Sequence, residues 1–202
     1  MRAVDVEDGA FESQRANGDA HARLNRRLRR TRRHVHRRSR SLLQAADDLI
    51  DGNPPVLKQM AGVFARRGRS VVAVQNIERE ETRRYGSVGG DKGSKSPHRI
   101  HGIVEKPEPK AAPSLLGVVG RYLLTPRIFH HLQRVKPGSG GEIQLTDAIA
   151  ALVGEEDVFA YEFEGQRYDC GSKLGYLQAN LQFALKHPEV GAAFRKYLRD
   201  SA

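Results

Sequence analysis

Short, valine-rich apolar runs alternate with amphipathic stretches through most of this sequence, and that alternation constrains the fold more than any other feature. Residues 70–75 (Ser-Val-Val-Ala-Val-Gln), 99–105, 117–124 and 159–163 are short, apolar and β-branched, and read as buried strands. Stretches with helical spacing lie between and after them. Asn53 and Pro54 open the first and Gly68 closes it, with Val56, Leu57, Met60, Val63 and Phe64 on one stripe. Thr125-Pro126 opens a second helix running to residue 135, and a third covers 142–153. Leu174, Leu177, Leu181, Ala184 and Leu185 mark a long fourth helix, and a last one runs over 190–198. Residues 91–97 read as a turn joining two strands, and Gly165-Gln166 as another turn. Strands and helices in alternation, with apolar strands, predict an α/β sheet covered by helices.

Residues 1–41 break the pattern. The first 40 hold twelve arginines, no lysine and five acids, which is +7 of the chain's net +10. Ten of those arginines fall in residues 21–40, with no acid among them. Leu24, Leu28 and Val35 are too few to bury a face. Three expectations compete for this tail. It is a disordered or loosely helical basic segment, an arm neutralising nucleic-acid phosphates, or the product of a shifted reading frame in a GC-rich gene. The third is favoured, because the ordered α/β pattern starts abruptly near Leu42. The sequence thus divides into a basic tail (1–41) and an α/β part (42–202). No apolar run reaches the ~20 residues of a membrane helix. The single Cys170 forms no internal disulfide and offers no metal-site spacing, so the cytoplasm is the default location.

The chemistry gathers at strand ends. In Gly102-Ile103-Val104-Glu105-Lys106-Pro107 an apolar strand is stopped by proline, which donates nothing to a ladder. Glu105 and Lys106 then sit where open α/β sheets bind ligands. If the segment stays extended they point to opposite faces, a carboxylate suited to sugar hydroxyls and an ammonium suited to phosphate. A weak surface ion pair is the competing reading. His130 and His131, adjacent on a helix, point about 100° apart and make poor co-ligands; both read as surface or groove residues.

Four further stretches accompany this hexapeptide: Thr82-Arg83-Arg84-Tyr85-Gly86-Ser87-Val88, the run from Pro113 to Tyr122, Gly140-Gly141-Glu142-Ile143-Gln144-Leu145-Thr146-Asp147-Ala148, and Tyr168-Asp169-Cys170-Gly171-Ser172-Lys173. In this order and spacing they resemble bacterial UTP–glucose-1-phosphate uridylyltransferases, over about the C-terminal half of such an enzyme. The resemblance implies a Rossmann-like nucleotidyltransferase sheet, a Mg²⁺ cofactor, and UTP, glucose 1-phosphate and UDP-glucose as ligands. It makes Asp47 the principal metal ligand and Asp169 a second one, 122 positions away. With Lys106 these form the implied catalytic set. Glu105 would meet glucose hydroxyls, Lys106 the sugar-linked phosphate, and Gly86 would let the sugar approach the backbone. Val118 and Gly120 would line the sugar pocket, and Lys173 is a weaker phosphate contact. Tyr122, Glu142 and Asp147 read as structural.

The family's Gly-x-Gly-Thr-Arg nucleotide loop has no counterpart in residues 1–40, whose glycines are only Gly9 and Gly18. The resemblance therefore implies a missing N-terminal nucleotide-binding part, an incomplete UTP site and doubtful activity. A non-catalytic sugar-phosphate- or subunit-binding remnant, including a homo-oligomer, is the alternative. Nucleic-acid binding through the tail ranks below both, because ordered motifs are more specific than composition.

Overall fold

A computed structural model describes residues 41–44, 47–90, 96–137 and 143–201. The basic tail, Glu142 and most of the 91–97 turn lie outside these residues. A six-stranded mixed sheet runs in the order β1 (Ser41–Gln44), β6 (Leu116–Leu124), β3 (Ser70–Asn76), β7 (Val158–Glu162), β5 (His98–Val104), β4 (Ser87–Gly90). Only β3 and β7 pair in parallel; the other neighbours are antiparallel. A separate two-stranded ribbon joins β2 (Asp48–Asp51) to β8 (Gln166–Asp169).

Strand β3 shows why the valine-rich run becomes a central strand. Successive side chains point to opposite faces, and both faces are covered. Val72 and Val74 join one buried cluster with Ile128, Leu132, Ile149 and Leu152, from helices α2 (Ile128–Leu132) and α3 (Leu145–Val153). Val71 and Ala73 join the other, against Val56, Met60, Val63 and Phe64 of helix α1 (Val56–Arg67). The apolar stripe expected on α1 is thus the layer that closes one side of the sheet, and each such side chain stabilises by about 1.5–3 kcal/mol. Helices α4 (Lys173–Lys186) and α5 (Gly191–Asp200) follow the ribbon.

Several local expectations are corrected. Helix α1 is capped by Pro55 rather than Asn53, with no side-chain cap bond, and ends as expected on Gly68 at φ 65°. Helix α2 begins at Ile128 rather than Thr125, because residues 125–127 form a turn whose carbonyls accept the N–H groups of Ile128, Phe129 and His130 through i→i−3 bonds. It ends at Leu132, and the chain to residue 135 is held as a turn by the His131 carbonyl, which accepts the Arg134 and Val135 N–H groups. The described part of α3 begins at Leu145, with Gln144 extended at its N-cap. Strand β8 follows directly on the Gly165 turn; its four residues Gln-Arg-Tyr-Asp carry no apolar alternation and are held by pairing with β2. His131 is buried at 6% exposure, its Nε2 3.5 Å from a Glu155 carboxylate oxygen, whereas His130 is half-buried.

Candidate active site

Strand β6 carries the irregularity that opens the site. Its register against β3 changes between the pairs Val72↔Tyr122 and Val74↔Val118, so two positions on β3 span four on β6. Gly120 lies in this bulge with φ 65°, a left-handed conformation that only glycine adopts without strain. The bulge faces a cavity of about 290 Å³. A central strand interrupted at one glycine leaves a space where a regular strand would have placed side chains.

The β4–β5 hairpin supplies the next wall. Ser87 pairs with Val104, which sets Gly86 and Glu105 side by side just beyond the pairing. The Gly86 carbonyl accepts the Val118 N–H at 2.8 Å, fixing the hairpin to β6. A Cβ on Gly86 would lie 3.2 Å from Thr146 Cγ2 and 3.4 Å from Glu105 Oε2. The glycine is therefore a close-approach position. Thr146 of α3 donates its hydroxyl to Glu105 Oε2 at 2.8 Å, which holds the carboxylate at the cavity wall.

Glu105 and Lys106 do not point to opposite faces. The strand ends at Val104 and Lys106 takes φ 43°, so alternation fails; both side chains line the cavity, with Lys106 Nζ 3.9 Å from Glu105 Oε1. A non-glycine residue held at positive φ is costly by roughly 1–3 kcal/mol and marks a position set by its surroundings.

The ribbon brings the two distant aspartates together. Asp48 pairs with Asp169, and the Cys170 N–H donates to the Asp47 carbonyl at 2.8 Å, so Asp47 and Asp169 end the ribbon at the same edge of the cavity. Their surroundings differ. The Asp47 carboxylate makes no hydrogen bond or ion pair with any described residue. Asp169 Oδ2 accepts from the Arg84 guanidinium and from Tyr85 Oη (2.7 Å), and Oδ1 accepts the Gly171 N–H at 3.0 Å. Helix α4 packs tightly behind: a Cβ on Gly175 would stand 2.0 Å from the Asp169 carbonyl oxygen.

Residues that the sequence reading passed over hold this ribbon in place. Asp48 is 6% exposed and paired to Arg167, and the buried Arg121 donates to the Asp48 carbonyl. Burial pushes the Asp48 carboxyl above its ordinary value, and Arg167 pulls it back in part. The Arg167 guanidinium lies 4.6 Å from the Tyr85 ring centre and that of Arg84 5.3 Å, so the phenol ring touches two cations. Burial, followed by its bond to Asp169, raises the Tyr85 phenol, which stays protonated and donating. Tyr122, read as structural, is buried and also lines the cavity; burial and then Glu105 push its phenol well above the usual range. The signal that was available was the alternation of acid and arginine in Asp47-Asp48, Arg83-Arg84 and Arg167-Tyr-Asp169, though no spacing rule converts it into pairs.

Gly86, Glu105, Lys106, Val118, Gly120, Asp47 and Asp169 thus border one cavity, whereas Lys173, the exposed first residue of α4, is outside its lining. The opposed charges on its wall, with a glycine at each close approach, suit a polar, anionic ligand.

Comparison with known proteins gives the same direction. The chain is 40% identical over 153 residues to a UTP–glucose-1-phosphate uridylyltransferase of Staphylococcus epidermidis, covering 76% of this chain and 53% of the relative. A protein of the same name from Staphylococcus saprophyticus is 45% identical over the same shares. Among solved structures, a UDP-glucose pyrophosphorylase complexed with UDP-glucose superimposes with a TM-score of 0.69 at 40% identity, over 73% of this chain and 57% of that one. A UTP-bound enzyme of Acinetobacter baumannii gives 0.67 at 37%, over 78% and 55%. The chain spans about half the length of the curated relatives it matches. The family model for nucleotidyl transferases matches residues 11–185, reaching back into the arginine-rich segment where the sequence reading found no likeness. On that match, and on identities of this size carried by the same fold, the chain belongs to the nucleotidyl transferase family.

Proposed function

We propose that the cavity is the sugar-phosphate and metal half of a UTP–glucose-1-phosphate uridylyltransferase site, serving the transfer of uridylyl from UTP to glucose 1-phosphate with release of pyrophosphate. The observation that supports it is the convergence of Gly86, Glu105, Lys106, Gly120, Asp47 and Asp169, from five separate parts of the chain, on one cavity. Glu105, held by Thr146, accepts from sugar hydroxyls; the Lys106 ammonium neutralises the sugar-linked phosphate. Gly86 and Gly120 leave the backbone open to the ring. In this reaction every participant is anionic, so the chain's task is to neutralise charge and align the groups.

Asp47 and Asp169 fit Mg²⁺ by donor chemistry: one or two carboxylates with remaining positions left to water and phosphate suit this small, hard ion. Among the described residues no group of three His, Cys, Asp or Glu side chains is assembled, as an all-protein metal cage would require. When bound, Mg²⁺ would offset charge on the phosphate oxygens. Asp47, whose carboxylate bonds no side chain among the described residues, is the one placed to meet it. No helix among the described residues is long and apolar enough to cross a membrane; a cytoplasmic site of action and assembly with further copies through the C-terminal helices belong to the same reading.

Calorimetry with glucose 1-phosphate tests the proposal. Lys106→Met is expected to weaken glucose 1-phosphate about tenfold or more and to leave weak binding of uncharged glucose unchanged. Glu105→Gln is expected to weaken both. Equal affinities in all three proteins would refute the sugar-phosphate reading. In a pyrophosphate-release assay with UTP, glucose 1-phosphate and Mg²⁺, any turnover by these 202 residues is expected to be slow and to vanish in Asp47→Ala.

A further inference from the structure

The two acid–arginine pairs on the β2–β8 ribbon are built differently. Asp48–Arg167 is sealed, with side chains 8% and 7% exposed. Arg84–Asp169 is open, with the arginine side chain 50% exposed and the aspartate 23%. A pair needed only to fasten the ribbon would resemble the first. Arg84 lines the cavity, and its second nitrogen keeps a loose contact with Glu81 at 3.7 Å, while its guanidinium also lies beside the Tyr85 ring. Losing Asp169 would therefore leave it tethered at the same wall.

Asp169 is also largely occupied. A carboxylate offers about four lone-pair positions, and three are taken by Arg84, Tyr85 and Gly171. Tyr85 and Gly171 are neutral donors and tolerate a cation nearby. The guanidinium does not: two positive charges about 4 Å apart repel appreciably even at an effective dielectric constant of roughly 20. Asp47, by contrast, forms no ion pair with any described residue; the nearby Arg121 feels its charge but donates to the Asp48 carbonyl. Two carboxylates that end one ribbon at one edge are thus held differently, one bonded to a cation and one bonded to no described side chain.

We propose that Arg84 is an exchangeable counter-ion: it holds the Asp169 carboxylate while the metal position is empty, yields it when a divalent cation binds, and turns its guanidinium to a phosphate oxygen of the sugar phosphate. This rests on the assignment of Asp47 and Asp169 as metal-side carboxylates. Its consequence is that metal and sugar phosphate bind cooperatively, because the arginine released by one is offered to the other. Tyr85 and Gly171 keep Asp169 oriented throughout the exchange.

Manganese(II) serves as the probe, its free concentration read by electron paramagnetic resonance on the 202-residue chain. Arg84→Met removes the charge and keeps most of the apolar stem; because Arg84 is half-exposed, its circular dichroism and unfolding midpoint are expected to match those of the parent. Manganese is expected to bind about two- to tenfold more tightly to Arg84→Met than to the parent, the size of a lost competing ion pair at a half-exposed site. Glucose 1-phosphate, titrated in saturating manganese, is expected to bind about tenfold more weakly. Arg84→Lys, which keeps a charge without the two-pronged fork, is expected to fall between parent and Met variant in both. If Asp47→Asn abolishes manganese binding while Arg84→Met binds it no more tightly than the parent, the exchange is refuted and the metal assignment stands. If Asp47→Asn binds manganese like the parent, the metal assignment itself falls and takes the exchange with it.

Discussion

Replacing Gly86 by alanine tests the site at its narrowest point. Gly86 does not lie in the left-handed region, so alanine fits the backbone. Through the unfolded state alone, such a change stabilises by about 0.4–1 kcal/mol. Against this, the new methyl would meet Thr146 Cγ2 at 3.2 Å and Glu105 Oε2 at 3.4 Å, inside the roughly 3.5–4.0 Å optimum for carbon contacts. Thr146 is buried and tied to Glu105 by a 2.8 Å bond. A displacement of a few tenths of an ångström therefore passes directly into a charge-assisted hydrogen bond worth about 1.5–3 kcal/mol. So small a displacement forfeits only part of that bond, which the unfolded-state gain of about 0.4–1 kcal/mol offsets, and the unfolding free energy of Gly86→Ala is expected to stay within about 1 kcal/mol of the parent. Sugar binding has no such compensation, because pushing Thr146 aside releases Glu105 from the position its bond holds; glucose 1-phosphate affinity is expected to fall at least about tenfold, or 1.4 kcal/mol. Thr146→Ser supplies the control. It deletes the offending methyl and keeps the hydroxyl that binds Glu105, so the double variant is expected to recover binding, with a coupling energy of roughly 0.5–3 kcal/mol between the two positions. Calorimetry paired with urea unfolding reads both quantities. Full affinity in Gly86→Ala, or a double variant no better than the single, would show that the close approach at Gly86 does not shape the ligand site.

Asp48→Asn addresses the sealed pair. Because burial raises the Asp48 carboxyl in the folded chain, its contribution to stability is fully present below its unfolded value near 3.8 and is lost as pH rises through the higher folded value; in Asp48→Asn, urea midpoints measured across that acid window should lose this component, and a pH profile identical to the parent's would contradict it. Leu177 is 63% exposed and Leu174 66% on α4; Leu177→Lys is expected to change the unfolding free energy by less than about 0.5 kcal/mol while reducing self-association in sedimentation, and an unaltered sedimentation profile would remove this face from any subunit contact.

The sequence alone determined the apolar strands β3, β5, β6 and β7 and the buried face of α1, because periodicity is a local property. The leucine stripe it placed on α4, by contrast, is left largely exposed, with Leu174 and Leu177 outside the core and only Gly175 and Ala179 buried. Val71 to Val74 could be covered on both sides only as a central strand, and the Val56–Met60–Val63–Phe64 stripe had to seek a sheet. Ordered motifs also named most of the residues that border the cavity, since a glycine, a glutamate and a lysine at strand ends leave a recognisable string. Tertiary structure decided which residues meet. Asp47 and Asp169 come together through antiparallel pairing of β2 with a strand too short and polar to show periodicity. Lys106 joins Glu105 on one side because a single dihedral at φ 43° breaks the alternation that extended backbone would impose. Arg84, Tyr85, Arg121 and Arg167 acquire their roles from partners roughly 70–120 positions away in sequence, or from ring faces that no spacing rule encodes. Hydrophobic patterning is written along the chain; the pairing of buried charges is set by long-range register, and a register has no local signature.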